Sequence, residues 1–220
     1  MDEYINGQGI QARKSLQWVN WADNDYIAAR QLLLADALIQ GSGLSCTAIE
    51  KYFKALFVLL NIEIPKGFKG HNICALYEEI KKKDIKRNIS EDYLILLFKS
   101  YKLRYPDNLE SGYNIALNRT KLLIGLDQAI YEIRKGFDYK SNNKKIITKL
   151  DDLVEKGSSN LLNKNCYFGN YDRATLFKES CYCYELRVLQ QDDILEASYF
   201  TDGMDDDEKF NSEGLKPKQK

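Results

Sequence analysis

Arg104, Tyr105 and Asp107 lie close together in the stretch Tyr101 to Asn108, YKLRYPDN, where a run of large apolar residues meets a proline. A guanidinium presents a planar fork that fits phosphate oxygens, and a phenol ring beside it offers a base a face to stack on. The same residues also permit a quieter arrangement, with the Arg104 stem along Tyr101 and its fork closing the turn onto Asp107 or Glu110. A second cluster is Ala48 to Phe57, AIEKYFKALF, which carries Glu50, Lys51 and Lys54. An acid four residues ahead of a lysine is the favourable orientation for an exposed helical pair, worth ~0.2–0.5 kcal/mol. Spacing alone therefore describes a solvated face. His71 is the single histidine of the chain. Its ring nitrogens suit capping the helix that begins near Asn72, or bonding a backbone carbonyl.

These groups need helices to hold them. Apolar residues at Leu16, Val19, Ala22, Tyr26, Ala29 and Leu33 recur at helical spacing and predict a first helix from an N-cap at Ser15 to about Ile39. Gly41-Ser42-Gly43 reads as the turn that follows. A second helix, roughly Leu44 to Asn61, is apolar over more than one stripe, which suits a central position or a face shared with a second copy. A third helix spans about Asn72 to Lys82. Ser90 can cap a fourth, which stops near Tyr105 because a residue before proline is pushed out of the helical region. A fifth runs from about Tyr113 to Lys135. Five helices with short connections predict an all-α, antiparallel up-and-down bundle over residues 1–140.

Beyond Phe137 the composition changes. Ile146 to Val154 predict one more amphipathic helix, ended near Gly157, within an extension over residues 141–200. In ESCYCYELRV the alternation of Cys181, Cys183 and Glu185 with Tyr182, Tyr184 and Leu186 suits a strand. From Thr201 the chain is acidic and then basic with few apolar residues, so residues 201–220 are expected to be disordered.

Lys and Arg number 32 and are matched by 32 Asp and Glu. No global field draws in DNA or an anionic membrane, so any nucleic-acid binding must come from a local patch. No stretch approaches the ~20 apolar residues of a membrane span, and the start lacks a signal-peptide pattern, so a cytoplasmic location is expected. Five scattered cysteines read as reduced thiols. With one histidine, Cys181 and Cys183 lack the partners of a zinc site, and no cofactor or metal is expected.

The run Ala48, Glu50, Lys51, Lys54 and Ala55, then Gly70-His71-Asn72 with Leu76, then Arg104-Tyr105-Pro106-Asp107, resembles the HEPN family, named for higher-eukaryote and prokaryote nucleotide-binding proteins. Trp21-Ala22-Asp23 with Ala28 and Ala29 fits the family's first helix. The resemblance implies an antiparallel helical bundle that forms a homodimer. It implies either a metal-independent ribonuclease, often a toxin, or a non-cleaving member that binds nucleotides or pairs with a small nucleotidyltransferase. The ribonucleases of the family carry an arginine followed, a few residues on, by a histidine. There the histidine can move the 2′-hydroxyl proton while the arginine stabilises charge on the phosphate. Arg104 matches the arginine, but Tyr105 through Ser111 contain no histidine.

The expectation is thus a non-nuclease HEPN dimer with no catalytic residues. It would bind a nucleotide or RNA phosphate through Lys51, Lys54, Arg104 and Tyr105, with Asp107 and His71 secondary, in a toxin–antitoxin or defence-type system. The alternatives are a ribonuclease with a degenerate motif and a protein-interaction scaffold.

Overall fold

The computed structural model describes residues 5–6, 9–83, 85, 87–141, 144–190 and 193–203. In chain order the helices are α1 (Gly9–Leu34), α2 (Leu38–Leu59), α3 (Ile73–Lys81), α4 (Glu91–Ser100), α5 (Arg119–Arg134), α6 (Lys149–Glu155), α7 (Ser159–Leu162) and α8 (Arg173–Lys178). The strands are β1 (Ile5–Asn6), β2 (Asn114–Asn118), β3 (Phe137–Asp138), β4 (Lys140–Ser141), β5 (Lys144–Lys145), β6 (Cys181–Gln190) and β7 (Asp193–Thr201). Antiparallel β2, β6 and β7 form a sheet in that order, while β1 pairs with β3 and β4 with β5 as two-residue ribbons. A helical bundle with a small sheet at its C-terminal side is the resulting architecture.

The first two helices form one long hairpin whose turn is not where glycine suggests. Ser15 lies buried inside α1, where its hydroxyl donates to the Ala55 carbonyl and shares a 2.6 Å hydrogen bond with Tyr139 Oη. It ties the helix to two neighbours and caps nothing. The chain reverses at Ala35–Ala37, with Asp36 at φ 61°. Gly41, Ser42 and Gly43 are buried within α2. A Cβ at Gly41 would come 2.6 Å from Leu33 Cδ2, so this glycine serves close packing of α1 on α2. α2 is surrounded by α1, α3, α4 and α5 within its own chain, and Ile49, Tyr52, Phe53, Leu56 and Phe57 are fully buried. That surround accounts for its apolar character without a second copy.

Local capping sets the next boundaries. The Asn72 side chain accepts from the amides of Cys74 and Ala75 to open α3, and Ser90 accepts from Tyr93 to open α4. α4 gives way at Tyr101–Arg104 to a 3-10 turn, and Pro106–Asn108 form another. The fifth helix begins at Arg119 rather than Tyr113. Asn114–Asn118 instead pair antiparallel with Cys183–Arg187, and Asn118 caps α5 by accepting from Lys121.

Residues past 140 pack on the same core as the bundle. Leu150, Leu161, Tyr184, Leu186 and Val188 belong to one apolar cluster with Tyr26, Phe53, Leu97 and Leu126. The strand ESCYCYELRV forms as β6, and its alternation places Leu186 opposite Ile115 and Tyr184 opposite Leu117. Thr201 closes β7, while the acidic run beginning at Met204 and the rest of the tail lie outside the described residues. Among the described residues, no helix is long and apolar enough to cross a membrane.

Candidate functional site

The four principal candidates separate into two kinds of environment. Lys54 is only 8% exposed, donates to Glu50 Oε1 at 2.5 Å and stands 5.3 Å from the centre of the Trp18 ring. The Glu50–Lys54 strip is therefore not a solvated face, because Trp18 of α1 covers it. Lys51 lies about 100° further round α2. It pairs with Asp25 of α1 at 2.5 Å. Both lysines have their charge matched inside the α1–α2 hairpin.

Arg104 and Tyr105 lie on the exposed corner where α4 runs into its 3-10 turns. The Arg104 guanidinium carbon sits 4.9 Å from the Tyr101 ring centre and 5.9 Å from that of Tyr105. This places the cation against two aromatic faces. The stem lies along α2, with its Cδ 3.5 Å from where a Cβ at Gly43 would stand. Among the described residues the guanidinium has no ion pair, so the expected closure onto Asp107 or Glu110 does not form. Asp107 is exposed in the following turn.

His71 ends the 3-10 turn Gly67–His71 and does not cap α3, since Asn72 does so. Its Nδ1 is 3.1 Å from Glu50 Oε1, and its side chain is 64% exposed. Gly43, Glu50 and Lys54 share one face of α2, at steps of seven and four residues. Arg104 meets that face at Gly43 and His71 meets it at Glu50, about 10 Å further along the axis. Cys46 lies between them. Burial pushes its thiol pKa up, with the Glu50 charge adding to the rise and the Arg104 charge opposing it.

Two aromatic residues escaped the sequence reading. Phe68 is 72% exposed, and its ring centre lies 5.8 Å from that of Phe98 on α4. Phe98, Tyr101 and Arg104 follow one another at steps of three residues, which keeps them near one face through the end of α4 and the 3-10 turn, where residues three apart eclipse. The result is a row, Phe68, Phe98, Tyr101, Arg104 and Tyr105, with exposed rings at both ends. The signal was present in Gly67-Phe68-Lys69-Gly70, a large aromatic between glycines and beside a lysine.

This geometry lies within a segment whose family is clear. The HEPN domain family model matches residues 15–132, more than half the chain. The chain belongs to the HEPN family. No curated protein and no solved structure matches it. The HEPN match takes in α1 from Ser15 onward through nearly all of α5 and every candidate residue, while β6 and β7 lie outside it.

Proposed function

We propose that this HEPN protein binds a nucleotide or RNA phosphate at the Arg104–Tyr105 corner and does not cleave it. The observation that carries this reading is the exposed Arg104 guanidinium, over the rings of Tyr101 and Tyr105 and with no ion pair among the described residues. Such a cation can meet a phosphate without first breaking an internal pair, and Tyr105 and Phe68 leave ring faces for bases. The ends of the row favour a short single strand over an isolated phosphate. The neutral net charge supports a short local site over extended tracking along RNA.

The positions of His71 and Arg104 favour binding over cleavage. Transesterification needs an acid or base within hydrogen-bond reach of the reacting proton and a cation at the same phosphate. In one chain these residues meet α2 about 10 Å apart. Lys51 and Lys54 contribute by holding α1 on α2 and so fixing the surface against which Arg104 lies.

Fluorescence anisotropy with a labelled single-stranded RNA, alongside ATP and GTP, tests the proposal. Wild type is expected to bind with an affinity that falls as salt rises, and Arg104→Ala to bind at least about tenfold more weakly. Absence of binding to RNA and to both nucleotides sinks it. Robust metal-free cleavage that disappears in Arg104→Ala would overturn the non-catalytic reading.

A further inference from the structure

Cys181 and Cys183 stand two residues apart on β6 and so point to the same face of the sheet. They are 0% and 7% exposed. The Asn118 carboxamide, opposite Cys183 on β2, touches both sulfurs. Its Oδ1 accepts from Cys181 Sγ at 3.1 Å, and its Nδ2 donates to Cys183 Sγ at 3.3 Å. The Thr120 amide, in the first turn of α5, donates to Cys181 Sγ at 3.4 Å. Each sulfur thus already has an N–H donor, the kind of partner that steadies a metal-bound thiolate. The positive dipole end of the 16-residue helix α5 lies at the same place.

The two thiols are poorly placed to bond to one another. Residues two apart on a strand lie about 6.6–6.8 Å apart with their side chains abreast, whereas a disulfide needs Cβ atoms about 3.5–4.5 Å apart. Pairing on both sides keeps β6 from buckling to close that gap, since β2 is registered on Cys183 and β7 on both cysteines. An ion between the sulfurs demands less closure, because two metal–sulfur bonds of about 2.3 Å span up to about 4.6 Å. Zinc does not suit the pair, since a structural zinc takes four ligands. Among the described residues no group of three His, Cys, Asp or Glu side chains could hold a metal. The expectation of no metal rested on that ligand count. A soft monovalent ion escapes it, because two thiolates satisfy copper(I) or silver(I).

We infer that Cys181 and Cys183 form a two-sulfur site for a soft monovalent ion of the copper(I) class. Binding exchanges two thiol protons, released to solvent, for one cation, with no change of oxidation state. The occupied site carries one net negative charge, which faces the Thr120 amide and the positive end of α5. Asn118, Tyr199 and Thr201 around the pair are only partly buried, so the ion enters over the sheet face. Both cysteines lie outside the family-matched segment, and the site is independent of what the Arg104 corner binds.

Anaerobic titration of the reduced full chain with copper(I), in competition with a copper(I)-binding chromophore, tests the inference. Wild type is expected to hold one ion per chain, to show thiolate-to-copper absorption in the ultraviolet, and to melt at a higher temperature with the ion than without it. Cys181→Ser and Cys183→Ser should each weaken binding at least about a hundredfold, beyond the ~10–100-fold that loss of an outer-shell partner costs. The double variant Cys74→Ser with Cys166→Ser, which removes the two more exposed thiols, should bind as wild type does. A wild type that retains no ion overturns the inference. So does undiminished binding by Cys183→Ser, or loss of binding in the Cys74 and Cys166 variant, either of which places the ion on other thiols. Should a serine variant lose its folded circular dichroism spectrum, X-ray absorption of the copper-loaded Cys74 and Cys166 variant replaces it. Two sulfur neighbours are expected there, and any other set overturns the site.

Discussion

Arg30 and Arg104 differ in every respect that matters for ligand binding. Arg30 of α1 is fully buried, pairs with Asp127 of α5, and donates to the Asn163 carbonyl at 2.5 Å. Tyr26 donates to the other oxygen of Asp127 at 2.8 Å. Arg134 is held in the same way, at 3.1 Å from Asp23 and 2.6 Å from Asp151. These networks join α1 to α5 and α6, and each buried cation has its anion. Arg104 has two rings and no anion among the described residues. A buried charge without a partner is too costly to keep, whereas an exposed one is cheap to leave unpaired. The core arginines therefore tie α1 to α5 and α6, while the corner arginine lies against two rings at the surface.

Removing the anion from the buried network and the cation from the corner should have opposite consequences. Asp127→Ala leaves Arg30 buried without its carboxylate and should cost about 3–5 kcal/mol in urea unfolding. If the loss is under about 1 kcal/mol, the network does not hold the bundle. Arg104→Ala should move the same unfolding curve by less than about 0.5 kcal/mol while weakening the RNA or nucleotide as described above. A large stability loss from Arg104→Ala would make the corner a structural joint.

The smallest expected effect separates the two buried networks by pH. Burial raises the Asp127 carboxyl above its usual range, against the pull of Arg30 and Tyr26. Burial also opposes ionisation of Asp151, but there the Arg134 charge and the Thr148 backbone bond win and lower it. A lowered folded value means stability that is present above the unfolded pKa of about 3.9 and lost as pH falls through the folded value. A raised one means stability present below that unfolded value and lost as pH rises through the folded one. Asp151→Asn should therefore flatten the acid limb of a stability–pH curve below about pH 4, and Asp127→Asn should not. An acid limb unchanged by Asp151→Asn would count against the Arg134 pairing.

Much of the bundle was legible because its cues are local. Asn72 and Ser90 cap helices with their own side chains, and the proline after Tyr105 keeps that residue out of the α region, so that it stands outside helical geometry between two 3-10 turns. The alternation in β6 is likewise written in consecutive residues. Readings failed where a distant neighbour decided. Gly41-Ser42-Gly43 has turn composition, yet Leu33 approaches so closely that Gly41 is needed inside a helix. Asn114–Asn118 carry apolar residues compatible with either period, and pairing with β6 made them a strand. Glu50 and Lys54 looked like a surface pair until Trp18 covered them.

Helical periodicity, the caps, the break at Pro106 and the arginine without a following histidine are all written in consecutive residues, since each depends on neighbours within a turn or two of one another. Which partner each of these cations meets is set by the packing of the elements. Lys51, Arg30 and Arg134 found carboxylates on neighbouring elements, Lys54 kept Glu50 of its own helix and came to lie against Trp18, Arg104 found tyrosine rings, and Phe68 came to rest on Phe98. The partner of a charge across a helix interface is set by packing over distances that sequence spacing does not encode.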